Sequence, residues 1–232
     1  MKQIKILSLG DNSSRTSHNY LPKIAKCDDV ELVAGTVFLN SAVIDTHIEA
    51  IKSNSEDYCF IYNNEGSVRF NTVENCSFVS AAEWFGWDYI IIQLNINREV
   101  SAESNASSAS ELAELIKKIC PSACVMLSLP YTEVSEAAEV AEKTKSLVTL
   151  PVAAACEAAM NAGVCLVDED GTLRGREYDF VTAGVWYEAL SGNALTSNGY
   201  RLPFVAGELT AIMKNVVHNT VNGTEKRCFY AG

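Results

Sequence analysis

The sequence predicts an α/β sandwich on a mainly parallel sheet. Three observations carry that reading. Apolar runs of strand length recur along the chain, segments with apolar residues at helical spacing separate them, and polar turn clusters mark the changes. No repeat, low-complexity segment or linker interrupts the alternation. A chain of 232 residues can bury a substantial core, so residues 1–232 are read as one domain.

Taken in order, Ile4–Leu9 reads as a buried strand, His18–Cys27 as a helix and Val30–Phe38 as a second strand. Val43, Ile44, Ile48 and Ile51 give the segment Val43–Lys52 a helical apolar face. Tyr58–Tyr62 and Ser67–Phe70 flank Asn63, Asn64, Glu65 and Gly66, a hairpin signal. "WDYIIIQ" (Trp87–Gln93) is a strand rich in β-branched and aromatic residues. A helix is then expected from a capping box at Ser108 and Glu111, with a stripe of Leu112, Leu115, Ile116 and Ile119 and a Glu114–Lys118 pair. Pro121 stops it. Cys124–Leu129 is the next strand, Thr132–Lys145 a helix and Leu147–Leu150 a short strand. Pro151 suits the first turn of a helix reaching about Asn161, "DEDGT" (Asp168–Thr172) is a turn, and Tyr178–Leu190 and Ala206–His218 are late helices.

A net charge of −11 argues against a nucleic-acid partner and against anionic membrane surfaces, both of which need clustered Lys and Arg. No apolar run is long enough to span a bilayer, and Asp11 interrupts the apolar start too early for a signal peptide. Eight cysteines are scattered without zinc-type pairs. The one close pair, Cys120 and Cys124, has a spacing that suits no common metal motif. Reduced thiols, a cytoplasmic location and no metal or other cofactor are therefore expected; the oligomeric state stays open.

In open α/β sheets ligands sit at the carboxyl ends of strands. That rule brings Gly10–Ser14, Phe38–Val43 and Gln93–Arg98 to one rim. Asp11, Asn40, Ser41, Gln93 and Asn95 are the candidate ligand-binding residues on it. Ser13 and Ser14 fit equally well as caps of a helix over Arg15–Ile24, and His18, His47 and His218 as structural histidines.

Four stretches in order carry a resemblance: "ILSLGDNSSRTSHNYLPKIA", "VELVAGTVFLNSAVIDTH", "WDYIIIQLN" and "VDEDGTLRGREYDFVTAGVWYEALSG". Together, over about the first 190 residues, they resemble the SGNH (GDSL-type) hydrolase superfamily, in particular a branch with "GNSFS…YLP" and "DGxHL…WYExLTG" motifs. The resemblance implies a three-layer α/β/α, flavodoxin-like sandwich and ester-hydrolase chemistry. It also places the family's site residues on this chain. The nucleophile position falls on Asn12, the catalytic Asp on Asp170 and the His base, three residues on, on Leu173. The Gly-Gly pair of the second block falls on Asn40 and Ser41, and the second Gln of the third block on Leu94, whereas His47 is retained.

Ester hydrolysis of this type needs a hydroxyl nucleophile, a base to take its proton, an acid to orient the base and donors for the oxyanion. Neither the carboxamide of Asn12 nor the alkyl chain of Leu173 can fill its position. The sequence therefore predicts a catalytically degenerate SGNH-like protein that binds a small acylated or carbohydrate-like ligand. One alternative is an active esterase or deacetylase that uses Ser13 or Ser14 with His47 as base. The other is a structural or interaction domain without a ligand.

Overall fold

The computed structural model describes residues 3–11, 18–64, 67–93, 99–128, 131, 134–144, 147–167 and 175–223. Seven of the described segments are strands, in the order β4-β3-β2-β1-β5-β6-β7. They are β1 (Gln3–Gly10), β2 (Glu31–Phe38), β3 (Tyr58–Asn63), β4 (Phe70–Cys76), β5 (Tyr89–Gln93), β6 (Cys124–Ser128) and β7 (Val148–Leu150). Strands β2, β1, β5, β6 and β7 are parallel, and β3 and β4 add an antiparallel hairpin at one edge.

Residue alternation along each parallel strand feeds two cores. Ile4 and Ile6 of β1, Leu32 and Ala34 of β2, and Tyr89 and Ile91 of β5 pack on one face, with α1 (Leu21–Cys27), α6 (Val152–Asn161), α7 (Gly175–Ser191) and α8 (Gly207–Gly223). Leu7, Leu9, Val33, Val37, Ile90 and Ile92 pack on the other, with α2 (Ile44–Lys52), α3 (Phe78–Trp84) and α4 (Ala102–Ile119). Helix α5 (Val134–Lys143) contributes Val140 to that second core. Strands buried on both faces read as continuous apolar runs, which is why β1 and β5 are so plain in the sequence. No helix among the described residues is long and apolar enough to cross a membrane.

Several elements differ from the sequence expectation. The return strand of the hairpin is Phe70–Cys76, not Ser67–Phe70. An edge strand needs few apolar residues, and most of "FNTVENC" stays partly or fully exposed. Helix α3 carries no apolar stripe of useful length and was not expected; Ser77 caps it by accepting from the Ser80 N–H at 3.1 Å.

Helix α4 starts at Ala102, not at the capping box. Ser101 is its cap and accepts from the Ser104 N–H at 3.1 Å. Its first turns are Ser/Ala-rich, and only Asn105, Ala106 and Ala109 are buried there. Ser108, inside the helix, donates to Asp45 Oδ1 at 2.9 Å. Glu114 pairs with Lys117 at 3.8 Å, not with Lys118, because the (i, i+3) neighbour is equally close on a helix surface. Helix α1 begins only at Leu21, with Tyr20 in the cap position, whereas the expected caps Ser13 and Ser14 lie outside the described residues. The expected turn at Asp168–Thr172 lies outside the described residues. Seven cysteines are free thiols among the described residues.

Candidate functional site

Strand register aligns the carboxyl ends of the parallel sheet. Gly10 is opposite Phe38 on one side and Gln93 on the other, Gln93 is opposite Ser128, and Ser128 is opposite Leu150. Chain order reverses between β1 and β5. From β1 the chain crosses to β2 on one side, and it later returns to β5 on the other. Such a switch point opens a crevice that adjacent connections cannot cover. Gly10 and Gln93 stand at it, and the Leu39 N–H donates to the Gly10 carbonyl at 3.2 Å, holding the start of the β2 rim against β1.

Gln93 shares its sheet face with Tyr89 and Ile91, under α7. It is 1% exposed, and neither Oε1 nor Nε2 has a hydrogen-bond partner among the described residues. An unpaired buried amide group costs roughly 1–3 kcal/mol, so an orphaned carboxamide at a switch point needs an explanation.

A polar layer surrounds it. Ser8 Oγ lies 2.7 Å from His18 Nε2. The His18 ring stands edge-on to Trp186 at 5.6 Å, and Trp186 Nε1–H donates to Ser128 Oγ at 3.0 Å. Thr182 lies one turn before Trp186 on α7, its hydroxyl beside that of Tyr178, and His18 Nδ1 also has no partner among the described residues. Six polar or amphipathic side chains from β1, β5, β6, α7 and the turn before α1 thus gather beneath the switch point.

On the opposite face His47 of α2 stacks on Tyr58 at 5.7 Å, with Nδ1 3.1 Å from the Tyr58 hydroxyl and no partner on Nε2 among the described residues. Burial holds His47 down at about 4, although the nearby Asp11 carboxylate pulls the other way. Burial alone holds His18 down at about 3. Both rings are neutral near pH 7. His218 lies apart, on α8, where its Nδ1 is 2.6 Å from Glu188 Oε1. Glu188 also accepts from the Leu195 N–H at 2.8 Å and from Asn222 Nδ2 at 2.9 Å. The Glu of "WYEALSG" therefore ties α7 to α8 and to the 3-10 turn Leu195–Ser197.

The buried imidazoles make stability acid-sensitive. An unfolded imidazole binds its proton near 6.5, whereas the folded rings stay neutral until about 4 and about 3. Above 6.5 both states are neutral. As pH falls below 6.5 only the unfolded state gains the protons, so stability drops, at up to about 1.4 kcal/mol per pH unit for each ring. Urea midpoints at pH 7 and pH 5 check this, and His47→Gln is expected to give a shallower decline than the unmodified chain.

Of the sequence-predicted site residues, Gln93 is buried at the switch point and Asp11 is buried just beyond β1. Asn40 and Ser41 follow β2 at the same edge but are exposed. Asn40 lines a surface cleft of about 550 Å³ with Thr46, Glu49 and Asp57, and Ser41 adopts a positive φ of 53°. His47 is present behind Asp11. Asn12, Ser13, Ser14, Leu94, Asn95, Asp170 and Leu173 lie outside the described residues. Sequence reasoning missed Ser8, His18, Ser128, Thr182 and Trp186. Its only available signal was a lone hydroxyl inside each apolar run, "ILSLG" and "VMLS".

A sheet with a β2-β1-β5-β6-β7 parallel core and a polar carboxyl edge defines the class: an α/β protein with the fold of GDSL-type hydrolases. Residues 5–132, more than half of the chain, match the DUF4886 family, a domain of unknown function, and the chain belongs to that family. It is similar to a DUF4886 family protein from Bacteroides uniformis ATCC 8492, with 16% identity, 95% of each chain covered and a TM-score of 0.82. It is also similar to a member of the lipolytic protein G-D-S-L family from Veillonella parvula DSM 2008. There the identity is 11%, the TM-score 0.50, and 81% of this chain and 98% of that one are covered. At these identities the likeness is one of fold. No curated protein matches the chain.

Proposed function

We propose that the chain binds a small acylated or carbohydrate-like ligand at the β1–β5 switch point and does not hydrolyse it. The observation that carries this reading is Gln93, a buried carboxamide with no partner for either polar atom among the described residues. A ligand carbonyl or hydroxyl would supply what Nε2 and Oε1 lack. The histidines support the absence of hydrolysis. The chain has three; two are buried and weakly basic, and the third is tied to Glu188 on α8. A general base works best near the operating pH, and an imidazole at about 4 is a poor one.

The second reading is an active esterase in which Ser13 or Ser14 attacks and His47 is the base. The unpartnered Nε2 of His47, close to Asp11, favours it. A serine-reactive fluorophosphonate separates the two. We expect no mass increase on the intact protein after incubation; one adduct, lost in Ser13→Ala or Ser14→Ala, would establish the esterase instead. Binding itself is tested by thermal shift against short acetate esters and acetylated sugars. A shift abolished by Gln93→Leu supports the ligand site, and no shift with any of them points to an interaction domain.

A further inference from the structure

Phe204 is the most anomalous exposed residue of the described chain. It is 94% exposed, whereas the next most exposed large apolar side chain, Trp84, is at 48%. Its backbone φ is +61°, a left-handed conformation that a bulky side chain adopts at a cost. A residue that is both strained and almost fully exposed buries nothing for the fold, and its one ring contact is with a charged side chain. Its surroundings are not random. The Arg176 guanidinium lies 5.5 Å from the Phe204 ring centroid and beside the Tyr20 hydroxyl. Tyr20 meets Phe180 edge-on at 6.2 Å and Tyr200 at 6.3 Å, and Phe180 stacks on Tyr200 at 6.1 Å.

This cluster borders the candidate site. Tyr20 is two residues after His18, which holds Ser8 in the polar layer next to Gln93. Arg176 and Phe180 belong to the first turns of α7, the helix whose Thr182 and Trp186 roof that layer. In this region Tyr178 lies against Tyr131, just past the end of β6, and close to Cys156, on the second turn of α6 after β7. The start of α7 therefore stands over the carboxyl edge of the sheet.

We infer that Phe204, with Arg176 and Tyr200, forms the lip on which the apolar portion of the bound ligand rests, and so selects acyl esters with a ring or long apolar group. The inference rests on the reading of the switch point as a ligand site. It explains why an aromatic ring is kept in water on a strained backbone, since strain of this kind persists where function uses it. Near Tyr20 the charges of Asp179 and Glu177 are opposed by that of Arg176, and what the exposed Phe204 ring itself offers is an apolar face.

Titration with methyl acetate and with 2-naphthyl acetate, followed by ligand-observed NMR, tests it on the full chain and on Phe204→Gly. The unmodified chain is expected to bind 2-naphthyl acetate at least about tenfold more tightly than methyl acetate, the gain expected for burying one aromatic face. Phe204→Gly is expected to bring the two within about twofold and also to raise Tm, because glycine accepts the positive φ without strain. Methyl acetate binding with an unchanged ratio in Phe204→Gly, or a lowered Tm in that variant, would overturn the lip and leave the switch-point site standing. Binding of neither ester would overturn both.

Discussion

Trp186→Ala is expected to cost about 3–5 kcal/mol, the largest loss that one side chain of this protein can cause near its site. Trp186 is fully buried, so truncation leaves a cavity between α7 and the sheet. It also orphans Ser128 Oγ, which accepts from the indole N–H, and removes the ring that meets His18 edge-on. A domain holds only about 5–15 kcal/mol in total, so the variant should sit near the unfolding threshold. The corresponding fall in Tm is roughly 6–20 °C for a chain of this size. Trp186→Phe should keep most of the packing and lose only the hydrogen bond, about 1 kcal/mol. Urea midpoints of the two variants separate the cavity from the hydrogen bond. Equal losses would mean that the Ser128 contact, not the packing, dominates.

Gln93→Leu is expected to act in the opposite sense. The carboxamide is buried with both polar atoms unpaired among the described residues, whereas leucine fills a similar volume without them. Relief of roughly 1–3 kcal/mol per orphaned group should raise Tm by several degrees. The same change should remove ligand binding. A substitution that stabilises the fold while it abolishes binding is the signature of a group retained for function. A fall in Tm on Gln93→Leu would mean that the amide is held by groups of the fold, and the argument for a ligand there would fail.

The contrast between these residues shows what the sequence can reveal. Gln93 was legible because it closes the apolar run "YIII" at a strand end, and strand ends are where ligands sit in this architecture. The Ser8–His18 and Trp186–Ser128 contacts were not. Their partners stand 10 and 58 residues apart, and a lone serine in an apolar strand gives no sign of what it faces. Strands β1 and β5 were plain because both their faces are buried, whereas β4, on the edge, has little apolar pattern to read. The start of α4 was misplaced because alanine and serine can bury a helix face without the large side chains that mark one. His47 stands in the second block of the sequence, on a segment that reads as a helix. What the sequence could not give was its burial against Tyr58, and burial is what makes it a weak base.

Phenyl acetate observed by NMR in the presence of the unmodified chain tests the central claim most directly, because one time course reads both binding and hydrolysis. The account predicts saturation transfer from the protein to the acetyl methyl group, lost in Gln93→Leu, with free acetate appearing no faster than in buffer. Release of acetate well above the buffer rate, abolished by Ser13→Ala or Ser14→Ala, would contradict it and assign the chain a working serine nucleophile.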